Sequence, residues 1–190
     1  MHESSLEDRK TLFKLVYARD AFERTLSFGK AFQEYQNPDP DDPLYSSLSC
    51  SIFVNYAKPF KQGQVLKEAL EENIPTEYEL IHNDAIRWRD RFFAHTDTKG
   101  LTDDEGLEAN QVCIEVENGK PSLIWQKLEV KSDFVSDLTK LSEILLEKTG
   151  GYIRELYKKH QNFFPKTDGI YLLNIDPKID AFFTIKPPVI

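Results

Sequence analysis

Arg87, Arg89, Arg91 and His95 fall within nine residues of one another, among Trp88, Phe92 and Phe93, in a 190-residue chain of net charge −8. A guanidinium keeps its charge at any physiological pH and forks toward phosphate or carboxylate oxygens, and an imidazole exchanges protons near neutrality. Side by side, these groups hold an oxyanion and move a proton next to it. The acidic balance of the whole chain argues against a protein coated in nucleic acid. A basic cluster in that repelling surround points instead to one localised anion site.

The helix that must carry these residues follows from their spacing. At about 100° per residue, Ile81, Ala85, Ile86, Trp88, Phe92 and Phe93 share one arc of roughly 160°, which is the buried face. Asp84, Arg87, Asp90 and Arg91 project to the opposite, solvated side. Arg89 lands inside the apolar arc, between Ala85 and Phe93, where an unpaired guanidinium is costly, so an anionic or polar partner is expected. Two readings stay open: a structural ion pair to another helix, or an anion-binding site. His95 follows Arg89 by six residues, about 120° around an ideal helix. The two converge if the helix ends near Ala94, or if two copies of the helix meet across a two-fold axis. By itself, His95 is either a cap at a helix C-terminus or a catalyst. His82, about two turns before Arg89, either lines the same cleft or packs, and packing is favoured.

The run Arg89-Asp90-Arg91-Phe92-Phe93-Ala94-His95 resembles the signature of the HEPN superfamily, in which an Arg and a polar residue precede a His late in a helix. The form with Asp, a basic residue, two apolar residues and Ala is similar to HEPN proteins of phage abortive-infection systems. Asn55-Tyr56-Ala57-Lys58-Pro59-Phe60 is similar to a Tyr-Ala-Arg-Pro-Phe stretch that those proteins carry one helix earlier. The resemblance covers residues from about Leu6 to Phe164. It implies a HEPN-like helical bundle, a homodimer whose motifs line one groove, and metal-independent cleavage of RNA without a cofactor. Arg89, Asp90 and His95 would be catalytic, Arg87, Arg91 and Lys58 would bind RNA backbone, and Tyr56 and His82 would line the groove. A toxin or antiphage-defence role, with an antitoxin or regulatory protein as a further partner, is implied in the same way. In HEPN toxins paired with nucleotidyltransferase antitoxins, a Tyr stands two residues after the His. Here Asp97 occupies that place.

The remaining elements frame this helix. Ser4 and Glu7 form a capping-box pattern before a first helix from about Leu6 to Tyr35. Asp42 and Pro43 supply the N-cap and first residue of a second, which Pro59 kinks or stops. A short charged helix spans Gln64 to Glu72, and Thr76 with Glu79 forms a capping box for the helix of the arginine cluster. Polar residues from Thr96 to Glu108 form a loop. Alternating apolar residues around Asn118-Gly119 predict a β-hairpin from about Ala109 to Val130, too small to be stable alone and so expected to lie on the helices. Ser132 caps a last long helix, which Gly150-Gly151 either interrupts or does not. Tyr171 to Ile175 and Ala181 to Ile185 are extended. The fold class is thus mainly α: a helical domain over 1–165, and a tail over 166–190 packed on that domain or on a partner subunit.

Other chemistries lack their signals. Glycine-rich phosphate loops, GxSxG, HExxH and paired-cysteine motifs are missing from the sequence, and no metal site is read. Cys50 and Cys113 lack zinc-like spacing and are expected to be buried, reduced thiols. No apolar run reaches membrane-spanning length, and the start of the chain has no basic-plus-apolar signal, so a cytoplasmic protein is expected. Three functions are weighed: an endoribonuclease, a non-catalytic HEPN module that binds RNA, a nucleotide or a protein partner, and an inert helical interaction protein.

Overall fold

The computed structural model of the chain describes residues 3–35, 37, 39–61, 64–90, 112–125 and 129–186. Helices α1 (Glu3–Glu34), α2 (Pro43–Lys61), α3 (Gln64–Glu71), α4 (Glu79–Trp88) and α5 (Ser132–Lys159) make it mainly helical. Two antiparallel hairpins complete it: β1 (Val112–Glu117) with β2 (Lys120–Trp125), and β3 (Tyr171–Leu173) with β4 (Phe183–Ile185).

Helix α1 lies along both α2 and α5. Phe22 of α1, Phe53 and Tyr56 of α2, Leu70 of α3, Ala85 of α4 and Leu138, Leu141 and Leu145 of α5 meet with no exposed surface. The close approach of α1 to α5 depends on Gly29, where a Cβ would stand 2.5 Å from Thr139 Oγ1. Buried Thr25, Ser142 and Thr149 donate to the carbonyls of Ala21, Leu138 and Leu145, so their hydroxyls enter the core satisfied.

Local signals are met unevenly. Asp42 Oδ1 accepts from the backbone N–H of Leu44 at 2.7 Å and of Tyr45 at 3.1 Å, with Pro43 opening α2 as predicted. Pro59 does not stop α2, which runs on to Lys61, although the proline supplies no N–H to the carbonyl one turn earlier. Thr76 and Glu79 form no capping box. Thr76–Tyr78 is a 3-10 turn after Pro75, and neither end of it carries a side-chain cap. Ser4 lies inside α1, and Ser132 is the first residue of α5 after an uncapped Lys131. Gly150 and Gly151 leave α5 unbroken.

In the first hairpin, Asn118 (φ 51°) and Gly119 (φ 76°) form the tight turn that their sequence predicts. Ile114 pairs with Leu123 and Val116 with Pro121, which puts apolar residues on one face. That face does not lie on the helices: Ile114, Val116 and Leu123 are 63–75% exposed. The helices close their own core without it, for Trp88 stacks on Phe134 at 4.5 Å and meets Phe53 at 5.5 Å.

The tail docks on its own helices. Arg9, buried in α1, donates to the carbonyls of Ile179 at 2.7 Å and Ala181 at 3.0 Å. Buried Phe182 packs against His160 and Phe163 at the end of α5. Cys50 is half-buried rather than buried, and burial pushes its thiol pKa up. Cys113 pairs with Ile124 in the hairpin ladder. No described helix is long and apolar enough to cross a membrane.

Candidate functional site

The face of α2 that carries Ile52, Phe53, Tyr56 and Phe60 at helical spacing turns toward α4, which presents His82 and Ala85 to it. Tyr56 has no exposed surface, and its hydroxyl lies 2.9 Å from His82 Nδ1. The Phe60 ring stands edge-on to the imidazole at 4.6 Å. Burial, followed by the charge of Lys67, lowers the His82 pKa to about 4, so the ring is neutral at pH 7. Burial, followed by the charge of Glu71, raises the Tyr56 pKa well above its ordinary value, so the phenol keeps its proton. The phenol therefore donates to Nδ1, and the imidazole proton sits on Nε2.

Nε2 faces a cleft of about 240 Å³ between the end of α2, α3 and α4. Lys61, Lys67, Arg87, Asn83 and Glu71 stand around it, with Phe60 and Ile86 as the apolar part of the wall. Glu71 Oε1 is 3.8 Å from Nε2, too far for a hydrogen bond. Lys67 lies 3.7 Å from the same oxygen. Arg87 was expected on the solvated face; it is half-buried, lines this cleft and donates to Asp84 at 2.7 Å.

Lys61 links the cleft to the end of α4. Its ammonium donates to Asp90 Oδ2, and Arg89 donates to Asp90 Oδ1 at 2.9 Å. Burial alone would raise the Asp90 pKa, but the hydrogen bonds from Lys61 and Arg89 outweigh it and hold the carboxyl below its usual value. Asp90 is thus ionised at neutral pH. The partner expected for Arg89 is its own neighbour, shared with Lys61 of α2, and the Arg89 side chain remains 28% exposed. Arg89 and Asp90 sit in a wider, π-type turn that continues α4. Arg89 itself keeps α-helical dihedrals (φ −56°, ψ −47°) and its N–H still bonds the carbonyl of Ala85, so its position on the arc is tolerated through Asp90 and partial exposure rather than by a change of helical step.

His82 packs, as favoured, and also lines this cleft, whose wall does not include Arg89. Tyr56 is a core residue whose hydroxyl is hydrogen-bonded, and it does not belong to the cleft wall. Lys58 is tied to Asn55 Oδ1 at 2.8 Å and also stands apart from that wall. Arg91 and His95 lie outside the described residues, as does the polar loop after them. Among the described residues, no group of His, Cys, Asp and Glu side chains is arranged to hold a metal ion. Sequence reasoning missed Lys61, Lys67 and Glu71. The usable signal was Lys67 and Glu71 at i,i+4 on a short charged helix, a pattern that normally marks a solvated face.

The arrangement suits an oxyanion: a neutral imidazole N–H, several cations, and an arginine held by an ionised carboxylate. No family model matches this chain, and no curated protein or solved structure was found to be similar to it.

Proposed function

We propose that this protein is a metal-independent endoribonuclease of HEPN type, working as a homodimer with Arg89, Asp90 and His95 of each copy at one groove. The observation that carries the reading is that the helices bearing the two stretches behind the resemblance pack on each other: α2, which holds Asn55–Phe60, meets α4 through Tyr56 and His82, and Lys61, just after that stretch, reaches Asp90. The ribose 2′-oxygen attacks the adjacent phosphorus and loses its proton, the bond from phosphorus to the 5′-oxygen breaks, and that oxygen takes up a proton. His95 serves one of these proton transfers, and Arg89 meets the charge of the phosphorane. Asp90, being ionised, orients Arg89 and supplies no proton. Arg87 and Arg91 steer the RNA backbone. The biological role that goes with this reading is that of a toxin or antiphage-defence effector.

Incubation with structured and unstructured RNAs in EDTA tests it. His95→Ala is expected to abolish cleavage and leave RNA affinity nearly intact, while Arg89→Ala lowers both. If wild type and His95→Ala both bind RNA and neither cleaves, the chain is a non-catalytic binding module. Equal cleavage by both would place the activity elsewhere.

A further inference from the structure

The His82 side chain is 8% exposed, and with Nδ1 engaged by Tyr56 its Nε2–H has no hydrogen-bond partner among the described residues. That N–H opens onto the cleft, where an entering acceptor takes the place of solvent. In the cleft wall Lys61, Lys67 and Arg87 outnumber Glu71. Asp84 and Asp90 engage Arg87 and Lys61 from outside the wall. Glu71, 3.8 Å from Nε2, already holds a carboxylate near the place an anion would take, but too far away to satisfy the donor. At about 240 Å³ the cleft falls below the size of sites that enclose a whole drug-sized ligand, about 300–1,000 Å³. It admits a group.

We propose that this cleft is a phosphate subsite: it takes one phosphate ester group of an RNA strand or free nucleotide, which accepts from His82 Nε2–H and lies between Lys67 and Arg87. The bound group displaces Glu71 from the mouth of the site. Lys61 spans this cleft and Asp90, so a strand lying across both puts one phosphate here and another at Arg89. This deepens the ribonuclease reading and rests on it for the strand as ligand.

The test uses the full chain carrying His95→Ala, so that RNA is not consumed, with two probes: 5′-AMP and a short single-stranded oligoribonucleotide. Lys67 and Glu71 are half-exposed on α3 and pair with each other, so Lys67→Gln and Glu71→Gln preserve the fold, which thermal melting verifies. Lys67→Gln is expected to weaken binding about tenfold, and Glu71→Gln to strengthen it severalfold, because one removes an attraction and the other a repulsion. The His82 Nε2–H resonance should move on saturation with the probe that binds. Opposite effects with the RNA identify a strand phosphate as the ligand, and with AMP alone a free nucleotide. Unchanged affinity for both probes in both variants, or shifts of the same sign, overturns the proposal. A wild type that never cleaves RNA but shows the opposite-sign pattern defeats the ribonuclease reading and leaves the subsite standing. Cleavage that depends on His95 without the pattern does the reverse.

Discussion

The hydroxyl of Tyr56 donates to His82 Nδ1 across 2.9 Å inside the helical core, and this bond decides which nitrogen of the ring carries the proton. It also couples α2 to α4 immediately beneath the cleft. Tyr56→Phe removes the donor, leaving a buried acceptor unpaired at a cost of about 1–3 kcal/mol. A lower melting temperature is expected, together with nitrogen chemical shifts of His82 that move toward a mixture of tautomers. A variant as stable as wild type, with an unmixed tautomer, would mean that packing alone holds the ring.

The His82 pKa, lowered to about 4, makes stability depend on pH. Between about 4 and the ordinary histidine value near 6.5 the unfolded chain binds the extra proton and the folded one does not, so stability falls as pH falls through that window. The size of the loss is on the order of 3 kcal/mol. Glu71, Lys67, Lys61 and Arg87 face the ring and adjust this figure. His82→Gln should flatten the slope of unfolding free energy between pH 4 and 6.5. Asp90, whose pKa is lowered, loses its contribution further down, as pH drops through its own folded value. An unchanged slope in His82→Gln would assign the window to other groups.

Asp90→Asn frees Lys61 and Arg89 from a common carboxylate. Because the group is partly exposed, the stability change is expected to stay within about 1 kcal/mol. RNA binding should tighten at low salt and depend more steeply on salt, since the groove gains positive charge. Cleavage should fall, because Arg89 is no longer held. Loss of binding and cleavage together would show that Asp90 itself touches the ligand.

Gly29→Ala drives a methyl group into Thr139 Oγ1, which stands 2.5 Å from the ideal Cβ position. The overpacking should cost about 1–3 kcal/mol, and Thr139→Ala in the same chain should recover much of it. Additive losses in the double variant would place the strain elsewhere.

What the sequence made legible follows from the range over which each signal acts. Asp42-Pro43, Asn118-Gly119 and the apolar spacing of α1, α2 and α5 are local, and they predict their elements directly. Thr76 with Glu79 misled, because Pro75 sets a 3-10 turn that uses no side-chain cap. The hairpin misled differently: alternation announced a strand pair with one apolar face, but nothing local says whether helices will cover that face. The cleft was least legible. Lys67 and Glu71 resemble an ordinary exposed pair, and only the packing of both α3 and α4 on α2 brings them to His82. Arg89 falls in the wrong arc of an ideal helix, and that spacing alone does not say that the carboxylate meeting it is its own neighbour, Asp90.

If Arg89 and His95 cleave RNA through attack by the 2′-hydroxyl, as proposed, the chemistry of the cut ends reports it. RNA incubated in EDTA with the purified wild-type protein should yield fragments ending in 2′,3′-cyclic phosphate, with 5′-hydroxyl ends on their partners. Neither product should form with His95→Ala, or with Arg89→Ala that remains folded. Fragments with 5′-phosphate and 3′-hydroxyl ends would rule out attack by the 2′-hydroxyl, and cyclic ends produced equally by His95→Ala would remove His95 from the reaction.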